Sequence, residues 1–262
     1  MKFKDKKILI TGGTSGIGKE ILKDLATRGA HHFAVMARNA DRIESLKDEF
    51  PDSEILPLPG DISNPKDLDK AISRIESEWG ELDILVNNAG VVSAGAFHET
   101  SDDDIINQVD INLTGVLLLT KRCLPLLLKS PEAAIVNVSS GLGYIAWPFY
   151  AVYATTKAGL RQFSDALRRE YHMHPLHVLT VYPTATDTAM MDNAEVEKMD
   201  DAAYVAQKSM DGLANRERDV IFGGEQRLID IEANFSQPEV IDKKAEERYD
   251  GLQKRTANHR SM

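Results

Sequence analysis

A single cysteine, Cys123, stands in a chain of 262 residues. One thiol excludes an intramolecular disulfide and suits a reducing compartment; in its apolar, helix-like setting it reads as a small buried hydrophobe. Positive charge is also scarce. The 31 lysines and arginines are outnumbered by 41 acidic residues, giving a net charge of −10. That excess opposes binding to nucleic-acid phosphates and to anionic membrane surfaces. No apolar run reaches the roughly 18 residues of a membrane span; the densest, 116–128, is interrupted by Lys121, Arg122 and Pro125. The amino-terminal residues run straight into a β-branched stretch, so no signal peptide is expected and a cytoplasmic protein is. Linkers, repeats and low-complexity segments are lacking too, as is any strong metal motif. His172, His174 and His177 cluster, but Pro175 breaks helical ligand spacing, and no metal is expected.

What is present is a regular alternation. A β-branched run, 7–11, leads into a turn holding Gly12, Gly13, Gly16 and Gly18, and apolar residues then recur at helical spacing. Strand, glycine turn and helix in that order give a glycine motif its meaning: main-chain N–H groups and a helix N-terminus can receive a pyrophosphate. The bland alternative is a plain strand-to-helix turn. A second strand, 32–37, ends in Ala37-Arg38, about twenty residues after the turn. There an acid would grip the 2′-hydroxyl of NAD and an arginine the 2′-phosphate of NADP. This chain has the arginine, unless Arg38 is only a solvated charge. Asp61 follows the third strand, where it serves an adenine or caps a loop. Asn87-Asn88-Ala89-Gly90 follows the fourth, where small residues admit a nucleotide and asparagines tie strands together.

A long helical stretch, 102–129, carries Asn112 in its interior, a poor helix former there and so a mark of a bend or a site. A fifth strand ends in Ser139-Ser140, followed by a loop rich in Leu142, Tyr144, Ile145, Trp147, Phe149 and Tyr150. The next helix, 151–171, contains Tyr153-Ala-Thr-Thr-Lys157, which places a phenol and an ammonium on one face, one turn apart. A neighbouring cation favours phenolate, so the expectation is a tyrosine pKa drawn down from near 10 toward the range useful for acid–base work. Further on come a sixth strand, 177–182, a short segment with Met190 and Met191, a helix over 200–213 and a last strand over 219–222. The polar tail, 225–262, is expected to hold one helix, roughly 238–254. Strands and helices alternating throughout imply βαβ units and a parallel sheet.

Together and in order, Thr11-Gly12-x-x-x-Gly16-Ile17-Gly18, Asn87-Asn88-Ala89-Gly90, Asn112, Ser140 and Tyr153-x-x-x-Lys157 resemble the short-chain dehydrogenase/reductase family over about residues 5–224. The resemblance implies an α/β fold: one Rossmann-type domain, residues 1–224, with a seven-stranded parallel sheet of order 3-2-1-4-5-6-7 and helices on both faces. A helical tail, 225–262, would pack on it or on a neighbouring subunit. The resemblance also implies a nicotinamide cofactor, here NADP(H). Contacts to it are expected from Gly12, Thr14, Ser15, Gly16, Ile17, Gly18, Arg38, Asp61, Ile62, Asn88, Ala89, Gly90, Tyr153, Lys157 and Thr188. Tyr153 would be the general acid/base, Lys157 would lower its pKa and hold the ribose, Ser140 would orient the substrate oxygen, and Asn112 would hold a water in the proton relay. Ser139 would be structural.

One departure stands out: Pro183-Thr184 replaces the family's usual Pro-Gly, so this loop is either reshaped or does not need a positive φ. The expected activity is reduction of a ketone or aldehyde, or oxidation of the matching alcohol. Trp147, Phe149, Tyr150, Met190 and Met191 would flank a bulky apolar substrate, with a small lid between Thr188 and Asp200. The alternatives are a non-catalytic NADP(H)-binding sensor or scaffold and an NAD-linked alcohol dehydrogenase. A homodimer or homotetramer is implied by the resemblance.

Overall fold

The computed structural model describes residues 1–194 and 199–261. Its strands are β1 (Lys7–Thr11), β2 (His32–Ala37), β3 (Glu54–Pro59), β4 (Ile84–Asn87), β5 (Ala133–Val138), β6 (Leu176–Tyr182) and β7 (Asp219–Ile221). They form one sheet in the order β3-β2-β1-β4-β5-β6-β7, and every pairing is parallel. The reversal of strand order at β1 and β4 is the switch point outside which α/β sheets gather ligands.

Side chains alternate across a strand, so each strand feeds two core layers. Ile8 and Ile10, with Val35 and Val136, pack under α1 (Gly16–Thr27), α2 (Ala40–Glu49) and α7 (Ala202–Ala214). Leu9, Leu56, Leu85 and Ile135 pack on the opposite face under α3 (Pro65–Trp79), α5 (Gly115–Leu127) and α6 (Ala151–Glu170). A fully buried side chain of this kind contributes about 1.5–3 kcal/mol, which is why the two layers set the fold. Cys123 lies in the second layer, fully buried, and burial pushes its thiol pKa up.

The stretch around Asn112 is one continuous helix with a widened middle. α4 (Asp102–Val109) runs into a π-helical turn, Asp110–Thr114, and on into α5. Such turns insert an extra residue and recur at functional sites. The tail differs from the single helix expected. It holds α8 (Gly224–Ser236), α9 (Pro238–Glu247) and α10 (Tyr249–Thr256). Gly223 and Gly224, both at positive φ, turn the chain into α8 straight after β7, and Pro238 opens α9. None of these helices buries a full apolar stripe, so the sequence carried little periodic signal for them. Among the described residues, no helix is long and apolar enough to cross a membrane.

Candidate active site

The carboxyl ends of β1 to β6 and the tail enclose a cavity of about 590 Å³. Its floor begins at the glycine turn. Gly12 and Gly16 have φ of +66° and +52°, which glycine adopts without strain. A Cβ on Gly18 would lie 2.4 Å from the Asn88 amide and the Gly12 carbonyl, so Gly18 serves packing and does not itself line the cavity. The turn is clamped from β4: Asn88 Nδ2 donates to the carbonyls of Thr11 (3.1 Å) and Gly12 (3.2 Å), and Thr11 Oγ1 accepts from the N–H groups of Asn88 and Ala89. Asn87 makes the tie between strands, donating to Asn137 Oδ1 at 2.8 Å.

α2, α3, α4 and α7 are each capped by a side chain, whereas α1 has none at its N-cap Ser15 and no acid in its first turn. Its first N–H groups therefore lack the partner that those four helices carry, and with the helix dipole they suit a phosphate. Thr14, Ser15, Gly16 and Ile17 line the cavity beside them, and Thr188 reaches across from beyond β6 to stand over Gly16. Past the turn, Arg38 and Arg42 line the same end, both exposed. Arg42 is a residue the sequence reading missed; its signal was its place in the first turn of α2, just past the Asn39 cap. Asp61 Oδ1 accepts from the N–H and hydroxyl of Ser63, and Ile62 closes the wall. These features fit a dinucleotide.

At the middle of the cavity, Ser140 follows β5 while Tyr153 and Lys157 project from α6. Ser139 turns away, its hydroxyl donating to the Lys157 carbonyl at 2.8 Å. The Ser140 hydroxyl accepts from the Leu142 N–H at 3.2 Å and faces the same cavity as the Tyr153 phenol. Lys157 Nζ lies 5.6 Å from the centre of the Tyr153 ring and donates to the Val138 carbonyl at 2.9 Å. The spacing thus brings the pair into one site, but the expected loosening of the phenolic proton is corrected. Burial is the largest influence on Tyr153 and pushes its pKa up to about 12, with Ser140 opposing the rise and Tyr150 adding to it. Burial likewise draws Lys157 down from 10.5 to about 8. Desolvation disfavours both charges, so the amine weakens as a cation in the same wall that makes the phenol reluctant.

Asn112 lies outside the cavity lining, 1% exposed. Its amide accepts from Val91 N–H (2.8 Å), donates to the Val91 carbonyl (2.8 Å) and reaches Thr156 Oγ1 (3.3 Å). A Cβ on Gly90 would stand 3.2 Å from Asn112 Oδ1 and 3.5 Å from Lys157 Nζ, so the glycine keeps that approach clear. Thr184 is not among the residues at positive φ. Its hydroxyl donates to Asp200, whose N–H donates to the Ala185 carbonyl, so the threonine ties down the segment that follows β6. That segment includes the expected lid; residues 195–198 of it lie outside the described residues, while Met190 and Met191 line the cavity.

The far wall comes largely from the tail, which the sequence motifs did not cover. Leu252, Arg255, His259 and Ser261 line the cavity, and Arg227 joins them from α8. His259 takes part in hydrogen bonds with the Tyr150 hydroxyl (2.9 Å) and the Met190 carbonyl (3.0 Å). Beyond it, Arg260 bridges antiparallel to Ser93 and Ser261 N–H donates to the Val92 carbonyl. Trp147 and Tyr150 line the cavity as expected, but Phe149 does not; it packs on Tyr249, ring centres 5.0 Å apart.

A family model described as short chain dehydrogenase matches residues 6–199. NADP-dependent 3-hydroxy acid dehydrogenase YdfG of Escherichia coli O6:H1 is 32% identical over 179 residues, 67% of this chain and 71% of that protein. A short chain dehydrogenase from Burkholderia cenocepacia, solved in complex with NADP, superposes with a TM-score of 0.82 at 23% identity, covering 94% of this chain and 99% of that one. A short chain dehydrogenase/reductase from Burkholderia phymatum, solved in complex with NAD, gives 0.84 at 19% identity over 92% and 96%.

Proposed function

The chain belongs to the short-chain dehydrogenase family, and from that premise we propose that it is an NADP(H)-dependent oxidoreductase acting on a ketone or aldehyde, or on the matching alcohol. The observation that carries the proposal is the convergence of Ser140, Tyr153 and Lys157 in one cavity that continues to the uncapped start of α1 and to Arg38 and Arg42. When bound, the nicotinamide supplies or takes up a hydride. Tyr153 gives its proton to the substrate oxygen in reduction and recovers it in oxidation. Ser140 donates to the same oxygen and holds it beside the phenol. Lys157 anchors the ribose and places positive charge in the wall. Asn112 acts by positioning: it fixes the Val91 backbone behind Gly90.

Two observations support NADP over NAD. Ala37-Arg38 offers no carboxylate to a ribose 2′-hydroxyl, and Arg42 adds a second cation at the same end. The NADP dependence of the YdfG relative agrees with this reading. Trp147, Met190 and Leu252 give the substrate end an apolar character suited to a bulky carbonyl compound. We also read residues 1–224 as the catalytic domain and 225–262 as the segment that closes it. Association into a homodimer or homotetramer is part of the same reading, and Ile106, exposed on α4, is an apolar group such a contact would cover.

The test is consumption of NADPH across a panel of ketones and aldehydes, with NADH in parallel. NADPH-preferring turnover is expected. Binding of NADPH without consumption of any carbonyl would move the chain to the class of cofactor sensors, and a preference for NADH would remove the role given to Arg38.

A further inference from the structure

The protein is strongly acidic as a whole, yet three arginines gather at the substrate end of its cavity. Arg227 lies against Gly141, next to Ser140: a Cβ on that glycine would be 2.5 Å from the Arg227 Nη2. Arg255 lies 6.0 Å from the Tyr150 ring centre, three residues before Tyr153 in sequence. Arg248 stands over the Trp147 ring at 5.2 Å and adds its charge to theirs. Arg227 and Arg255 both line the cavity, and the Nε of each is buried with no hydrogen-bond partner among the described residues. The carboxylate nearest in effect to Arg227 is Asp230, and it is taken up by Lys244 (2.6 Å) and Gln226 (2.9 Å). Burial accordingly draws the Arg227 pKa down.

A guanidinium nitrogen buried without an acceptor is costly, and an anion restores what desolvation removed. Dinucleotide phosphates are not that anion. Their seat is at β1, two strands from β5 in the sheet order and so roughly 10 Å from Ser140 by strand spacing alone. We propose that the substrate is an oxo acid, or the matching hydroxy acid, whose carboxylate is held by Arg227 and Arg255 while its apolar body lies along Trp147, Met190 and Leu252. This rests on the oxidoreductase reading above. Arginine suits the task because its planar fork can engage both oxygens of a carboxylate. The wall is therefore selective by charge as well as by size.

The experiment pairs each acid with its neutral twin: benzoylformate and benzoylpropionate against their methyl esters, with NADPH. The expected result is a kcat/KM at least about tenfold higher for one or both acids, carried mainly by KM, the scale of a charge-assisted hydrogen bond. In R227Q and in R255Q the acid-over-ester ratio falls toward one, and R227K restores part of it. A ratio near one in the wild type, or one unmoved by both glutamine variants, overturns the proposal while leaving the oxidoreductase intact. A second measurement stands apart from turnover: calorimetric binding of phenylacetate against phenylacetamide. Tighter binding of the acid, lost in R227Q, is expected even if no carbonyl is reduced, in which case only the oxidoreductase reading fails. If R227Q weakens NADPH binding as much as phenylacetate binding, the arginine serves the cofactor and the proposal falls.

Discussion

At one end of the cavity, beneath α1, the surface is mostly main chain: the turn at Gly12 and Gly16, the Ala89-Gly90 backbone, and helix N–H groups left without a cap. At the other end it is mostly side chain, delivered by loops and by a tail that crosses back over the sheet: Trp147, Met190, Arg227, Arg255, His259. Main chain can receive any ligand with the right phosphate geometry, whatever the neighbouring side chains. Side chains on long connections can be exchanged one by one. The contrast teaches that the cofactor end is the constant part of the machine and the tail end its adjustable part.

The sharpest way to probe this contrast is at its boundary. Tyr153→Phe should lower turnover by on the order of 100- to 10,000-fold, as expected for loss of a positioned acid/base, while NADPH affinity by fluorescence titration stays near wild type. A variant that still turns over would unseat Tyr153. Next, Arg38→Asp at the constant end should shift the NADPH-to-NADH ratio of kcat/KM toward NADH by about ten- to a hundredfold, the loss of one charged contact plus a new repulsion. Steady-state assays with both cofactors decide it.

Lys157 tests whether the middle of the cavity is built for activity at the expense of stability. Its folded pKa of about 8 lies below the ordinary 10.5. Below pH 8 the ammonium is charged in both folded and unfolded chains, and the folded state carries the burial penalty. Between about 8 and 10.5 folding releases a proton, so the penalty fades as pH rises. Lys157→Met should therefore lose turnover yet gain about 1–2 kcal/mol at pH 7, after allowing for the lost bond to Val138. The gain should shrink by pH 10, and thermal melts at the two pH values would show the opposite trend if the lysine were stabilising. The mildest effect belongs to the adjustable end. His259→Ala removes contacts to Tyr150 and Met190 and should cost about 1 kcal/mol, with KM for substrate rising several-fold and NADPH affinity holding. Equal losses in both affinities would erase the distinction between the two ends.

Legibility followed the same division. The glycine turn, Asn88 and the Tyr153–Lys157 pair were readable because each sits at a strand end or at fixed helical spacing, whereas the choice of Ser140 over Ser139 came with the family resemblance. The parallel sheet follows from the same alternation, whereas its strand order is what the family resemblance implies. Arg227, Arg255 and His259 could not be found this way, since their places depend on where three short, weakly amphipathic helices come to rest, which is a matter of long-range packing. Arg42 was within reach but hidden behind Arg38. The direction of the Tyr153 shift was misjudged for another reason: the i, i+4 rule fixes which groups meet, but not how dry their surroundings are.

The widened turn at Asp110–Thr114 has a further consequence. Each residue of a helix advances its surface by about 100°, so the extra one sets the angular phase between two differently dressed faces: Asp104 and Gln108 turned to Ser93, then Leu119 and Cys123 turned to the sheet. Excising a single residue there would let the backbone relax into an unbroken α-helix, yet it would leave one of those faces pointing the wrong way. Length in this stretch is thus a coded quantity, as binding on the molecule as the identity of any side chain it carries.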